Sequence, residues 1–128
     1  MCNEIKNVEI KRADAEDIKL FYPDGSPKSC YAWVASYKGK AACLAGVILQ
    51  KRGGFIVFSD MKETDAPKLT IWRTARLLME YITALNLPMV VGCEIVNKRS
   101  QKLFRKLGFK HSRTSNGMEW FLCPRWQQ

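Results

Sequence analysis

The chain has 128 residues, of which 47% are hydrophobic and 26% charged, with a formal net charge of +9. That length supports one domain, 1–128, with a real core, and is too short for two. No apolar run approaches the length needed to cross a bilayer, and the opening MCNEIKNVEI lacks the charged-then-apolar plan of a signal peptide, so no membrane contact and a cytoplasmic location are expected.

Five cysteines, Cys2, Cys30, Cys43, Cys93 and Cys123, are odd in number and scattered, without a Cys-x-x-Cys pair. Three of them fall inside apolar, strand-like runs. Reduced, mostly packed thiols are expected, with neither a disulfide framework nor a metal site. The positive charge favours contact with something acidic, such as nucleic acid, a phosphorylated cofactor or an acidic protein. Scattered lysines that keep a small protein soluble explain most of it more simply.

Val8 to Arg12 alternates and reads as a strand with Val8 and Ile10 inward. Asp14 is placed to cap a short helix, AEDIKLFY, which Pro23 and the turn-like DGSP stretch end. From Tyr31 to Tyr37 a strand puts Tyr31, Trp33, Ala35 and Tyr37 on one face. Lys38-Gly39-Lys40 then turns into AACLAGVILQ, apolar enough for a central strand. Lys51 to Gly54 turns again into the buried strand Phe55 to Phe58. The period then changes. From Pro67 to about Leu85, apolar residues fall at helical spacing, with Thr64, Asp65 and Pro67 as start signals and Asn86 and Pro88 as stops. Met89 to Val96 is a short apolar strand. A helix over Asn97 to Gly108 and a closing hairpin across Ser115-Asn116-Gly117 complete the order β-α-β-β-β-α-β-α-β-β.

The stretch VNKRSQKLFRKLGFK is the most ordered part of the chain. Asn97 is a preferred N-cap. Leu103, Phe104 and Leu107 form one apolar stripe, with Ser100 a turn earlier on the same side. Gly108 can take the left-handed conformation that ends a helix, after which Phe109 packs back. Capping and packing account for each residue taken singly.

Taken together, the spacing Asn97, Ser100, Leu103, Phe104, Leu107-Gly108-Phe109 and the element order resemble the GNAT superfamily of N-acetyltransferases, most strongly over Phe55 to Leu122. The resemblance implies a mixed α/β (α+β) fold. Its central sheet is mostly antiparallel, with a long helix after the fourth strand and a short helix after the fifth. It further implies acetyl-CoA in a V-shaped split between those strands, with Phe55 to Asp60 and Met89 to Val96 on the two arms. Phe58, Ser59, Asp60, Lys68, Asn97, Ser100 and Phe104 are then the cofactor-side residues. The implied acceptor is an amine of a small molecule or a protein.

Two departures from the family pattern bear on chemistry. The family's long helix opens on a glycine-rich turn whose amides close around a pyrophosphate. Here the stretch reads Glu63-Thr-Asp-Ala-Pro-Lys-Leu-Thr-Ile-Trp72, with no glycine between Gly54 and Gly92. Glu63 and Asp65 are expected to satisfy the helix end with carboxylates, leaving an ordinary capped amphipathic helix. The family residue at position 104 is frequently a tyrosine that protonates the leaving thiolate, which Phe104 cannot do. Glu94, inside VVGCEIV, is the candidate catalytic carboxylate, because burial would raise its pKa toward a useful range. Asp60 and Glu119 are further carboxylates with ordinary structural explanations. His111, the one histidine, is more often a surface residue than a base at such a position.

Three functions follow as expectations. One is an acetyl-CoA-dependent N-acyltransferase with a degenerate pyrophosphate loop. Another is a catalytically inactive relative, similar to small GNAT-like virion-assembly proteins of phages, working with phage structural proteins in the host cytoplasm or virion. The remaining one is nucleic-acid binding through Lys98, Arg99, Lys102, Arg105, Lys106 and Lys110, against which stands the simple reading of a solvated polar face.

Overall fold

The computed structural model describes residues 5–25, 30–49 and 54–123. In chain order it contains β1 (Val8–Arg12), α1 (Ala15–Phe21), β2 (Cys30–Tyr37), β3 (Lys40–Leu49), β4 (Phe55–Met61) and α2 (Lys68–Thr83). β5 (Met89–Glu94), α3 (Lys98–Lys106), β6 (Lys110–Ser115) and β7 (Met118–Leu122) follow. This is the order expected from the sequence. The later part of the DGSP turn and most of the Lys51 to Gly54 turn lie outside the described residues.

Local chemistry explains the boundaries. Asp14 caps α1 in a reciprocal capping box: its carboxylate accepts from the Asp17 amide at 2.9 Å, and that of Asp17 accepts from the Asp14 amide at 3.0 Å. Lys38 and Gly39 (φ 49° and 83°), and Asn116 and Gly117 (φ 52° and 78°), take the paired left-handed conformations of tight hairpin turns.

The seven strands form one sheet in the order β1-β2-β3-β4-β5-β7-β6. Every neighbouring pair is antiparallel except β4 and β5, which run parallel. A parallel pair needs a crossover, and α2 is that crossover.

The sheet is covered on both faces. On one, Ala45, Val47, Val57, Val91, Phe121 and their neighbours pack with Leu78 and Ile82 of α2 and with Phe104 and Leu107. On the other, Ala32, Val34 and Leu44 receive Ile18, Phe21 and Tyr22 from α1 and its end, together with Phe58. Each fully buried large side chain is worth about 1.5–3 kcal/mol, so the α2/α3 face, with Phe121, Ile82 and Met89 all at or below 1% exposure, dominates stability. Among the described residues no helix is long and apolar enough to cross a membrane.

Candidate functional site

β4 and β5 pair over only three positions, Phe55 with Met89, Ile56 with Val90 and Val57 with Val91. Beyond them β4 runs on to Met61, still paired with β3 through Cys43 and Met61, while β5 pairs with β7 through Glu94 and Met118. The split therefore opens after Val57 and Val91, so Phe55 to Val57 and Met89 to Val91 form its closed base and not its arms. The consequence is chemical: from Phe58 onward the β5-facing edge of β4 has no ladder partner, and backbone donors and acceptors are left for something else.

That edge borders a cavity of about 240 Å³ under α2 and α3. β4 contributes Phe58, Ser59 and Met61, α2 contributes Lys68, Ile71 and Trp72, and α3 with its C-terminal end contributes Leu103, Phe104 and Leu107. The lining is apolar apart from Ser59 and Lys68, which suits a thin chain whose polar groups are met by strand backbone. The structure thus brings Ser59, Lys68 and Phe104 together at one slot, while Phe58 borders it from β4 with its ring packed toward Tyr22 on the α1 face. Ile71, which falls in the helical apolar period, joins them, as do Trp72 and Met61, which the sequence did not single out; only packing shows which side they face.

The helix ends on either side of the slot differ. At α3, Asn97 accepts a hydrogen bond from the Ser100 amide at 3.1 Å, so the cap expected from the sequence is present. Asn97 and Ser100 therefore hold the helix and are not among the slot-lining residues. At the other end, Gly108 is left-handed (φ 94°), and the amides of Gly108 and Phe109 return to the carbonyls of Arg105 and Phe104. The Phe104 and Phe109 rings stack at 5.8 Å, and Phe104 meets Phe121 edge-on at 5.5 Å. Phe104 is thus a packing residue on the wall of the slot.

At α2 the sequence reading needs correction. Pro67 is the N-cap, no side chain bonds the first-turn amides, and the first turn holds no acidic residue. Glu63 and Asp65 do not cap the helix. Thr64 accepts from the Ala66 amide instead, at 3.2 Å, and the extended Pro67 (ψ 150°) carries the chain past both carboxylates before the helix starts. The amides of Lys68, Leu69 and Thr70 have no partner among the described residues. They form the positive end of a 16-residue helix beside the slot.

The carboxylates also sort differently from expectation. Glu94 is exposed at the end of β5, so the burial on which its candidacy rested is not there. VVGCEIV reads as continuously apolar, but the strand stops at Glu94, and Ile95 and Val96 are themselves exposed. Asp60 lies on the opposite side of β4 from the slot. It accepts a hydrogen bond from the Tyr22 hydroxyl, and burial raises its pKa above the ordinary carboxylate value. Glu119 is held below the usual range by the hydroxyl of Thr114 and by His111, whose Nε2 lies 3.3 Å from it, against an opposing effect of burial.

Burial pushes the Cys43 thiol up to about 11 and raises Cys93 as well, so both are neutral packing groups and not nucleophiles. Among the described residues no group of His, Cys, Asp and Glu is placed to hold a metal ion.

Comparison with solved structures agrees with this fold. A spermidine N-acetyltransferase from Vibrio cholerae superposes with a TM-score of 0.70 at 10% identity, over 92% of this chain and 94% of that one. The N-acetyltransferase PseH of Campylobacter jejuni gives 0.65 at 9%, over 91% and 96%. RimL, a ribosomal alpha-N-protein acetyltransferase, gives 0.64 at 11%, over 92% and 93%. No protein-family model matches the chain, and no curated protein sequence matches it. At these identities the likeness is one of fold, and the fold is the GNAT fold that the sequence resembles.

Proposed function

We propose that the chain is a coenzyme A-dependent N-acyltransferase, with acetyl-CoA as donor and an amine of a small molecule or protein as acceptor. The observation that carries this reading is the unpaired β4 edge beyond Val57, opening on an apolar slot that ends at an uncapped helix N-terminus. An extended arm bearing amides can add to such an edge as a further strand. The amides of Lys68 to Thr70, with the Lys68 ammonium, offer an anion site even without the family's glycines. The loop is degenerate in sequence, yet the end of its helix is free.

When bound, the thioester supplies an activated acyl group. The protein's share is positioning, polarisation of a carbonyl and proton management. The free β4 amides supply the polarising donors. Trp72, Leu103 and Phe104 exclude water from the slot. Phe104 has no proton to give, so the acid of this reaction is not at that position. Asp60 suits the other proton transfer better than Glu94 does: it flanks the opening of the split from the α1 side, and desolvation makes its carboxylate a stronger base. Tyr22 fixes its orientation.

Calorimetric titration with acetyl-CoA tests the reading. Saturable binding in the micromolar to millimolar range usual for enzyme substrates is expected. Absence of binding at millimolar ligand would sink it and favour the inactive assembly protein. Asp60→Asn should leave that binding intact and lower turnover of an amine panel by about 10²–10⁴-fold. Unchanged turnover would remove Asp60 from the reaction.

A further inference from the structure

The excess charge is not spread over the molecule. After Pro67 the acidic residues are Glu80, Glu94 and Glu119 alone, while most of the cations in that half fall on α3 and the start of β6. α3 contains no acidic residue, and Lys98, Arg99, Lys102, Arg105 and Lys106 are all exposed, as is Lys110 just beyond it. At 100° per residue, Lys98, Lys102, Arg105 and Lys106 share one outward quarter of the helix. The ion pairs among the described residues are Lys11 with Asp17 and His111 with Glu119. Among the described residues no carboxylate pairs with the cations of α3. Glu119, on β7, is engaged by Thr114 and His111.

We propose that this face, α3 with the adjoining edge strand β6, binds the phosphodiester backbone of nucleic acid without reading its sequence. Charge complementarity carries the choice of occupant. The apolar residues of α3, Leu103, Phe104 and Leu107, turn into the slot and core, so the outward face has neither the apolar anchor a bilayer surface needs nor the aromatic centre of a protein interface. Val96, 80% exposed and the most exposed large hydrophobic among the described residues, stands at the head of the helix and not along that face. The nine residues of α3 span about 13 Å, at 1.5 Å per residue. Its four outward cations, Lys98, Lys102, Arg105 and Lys106, can neutralise about four phosphates. The surface lies on the outward side of α3, opposite the residues that line the slot.

Fluorescence anisotropy with a labelled mixed-sequence DNA duplex, and with RNA of the same sequence, tests the proposal on the full chain. Binding should weaken between about 50 and 200 mM salt with a log–log slope of about −3 to −4 for the duplex, corresponding to about four displaced counterions. The variant Lys98→Gln/Lys102→Gln/Lys106→Gln should weaken binding at least about tenfold and reduce the slope by about three. Lys19→Gln/Lys38→Gln/Lys40→Gln, with the same charge change on other surfaces, should stay within about twofold of the parent. Circular dichroism of both variants shows whether the fold is kept. No anisotropy change at low salt overturns the proposal, as does equal loss in the two triple variants. Tighter binding to phosphatidylserine vesicles than to either nucleic acid also overturns it. The DNA and RNA arms identify which backbone is preferred.

Discussion

α2 and α3 wall the same slot, and their N-termini solve the same problem in opposite ways. Each helix begins with amides that have no partner inside the helix. α3 satisfies its own: Asn97 supplies the cap, and Gly108, Phe104 and Phe109 close the other end. α2 begins after Pro67 with no side chain on its amides, although Glu63 and Asp65 stand only a few residues away. A self-capped end is a structural element, whereas the uncapped end of α2 keeps its first amides available. In the proposed function that difference separates the wall of the slot from the end that would meet the donor's phosphates.

Closure of α3 at its C-terminal end rests on Gly108. Gly108→Ala forces a Cβ into a left-handed position and should cost about 1–2 kcal/mol, read as a lower urea midpoint. An unchanged midpoint would mean that the helix does not depend on that closure. A pair of cap variants distinguishes the two N-termini. Asn97→Ala should cost about 1 kcal/mol, and Pro67→Asp, which gives α2 the cap it lacks, should stabilise by up to about 1 kcal/mol. The pair should also diverge in acetyl-CoA titration. The new carboxylate at position 67 weakens binding, while loss of the Asn97 cap changes it little. Equal effects on binding would erase the distinction between the two ends.

The smallest effect concerns the hairpin beside α3. Because Thr114 and His111 hold the Glu119 pKa below its ordinary value, the folded state releases this proton more readily than the unfolded one. Its contribution to stability is therefore present above the ordinary carboxylate pKa and disappears as pH falls through the lowered one. Glu119→Gln should flatten that acid limb in a series of urea melts, and an unaltered limb would assign the loss to other carboxylates.

How much of this was legible in the sequence follows from the range of the interactions. Alternation and helical spacing depend on neighbours, so the element order and the Asn97 to Phe109 cassette could be read directly. The Tyr22 to Asp60 hydrogen bond joins residues 38 apart, and no local pattern announces it. Glu94 was misleading because an apolar run reads as buried to its last residue, while the strand ends earlier. The α2 cap was misleading because residue preference gave the carboxylates but not the extended path of Thr64 to Pro67 that leaves them outside the helix. The splitting point of β4 and β5 depends on the twist of the whole sheet, so the resemblance gave the correct pair of strands with the base and arms undivided.

The sheet is two blocks, β1 to β4 and β5-β7-β6, joined by a seam of three residue pairs. A molecule that binds along the free edge of β4 and touches α3 lengthens that seam, acting as a removable fragment of strand. Its binding free energy then becomes cohesion between the blocks, growing as RT ln(1 + [L]/Kd), about 2.7 kcal/mol at a hundredfold excess over Kd. Amide exchange along Phe58 to Met61 and Gly92 to Glu94 is where that cohesion would be felt first, so occupancy of the slot and the opening rate of the sheet form a single linked equilibrium.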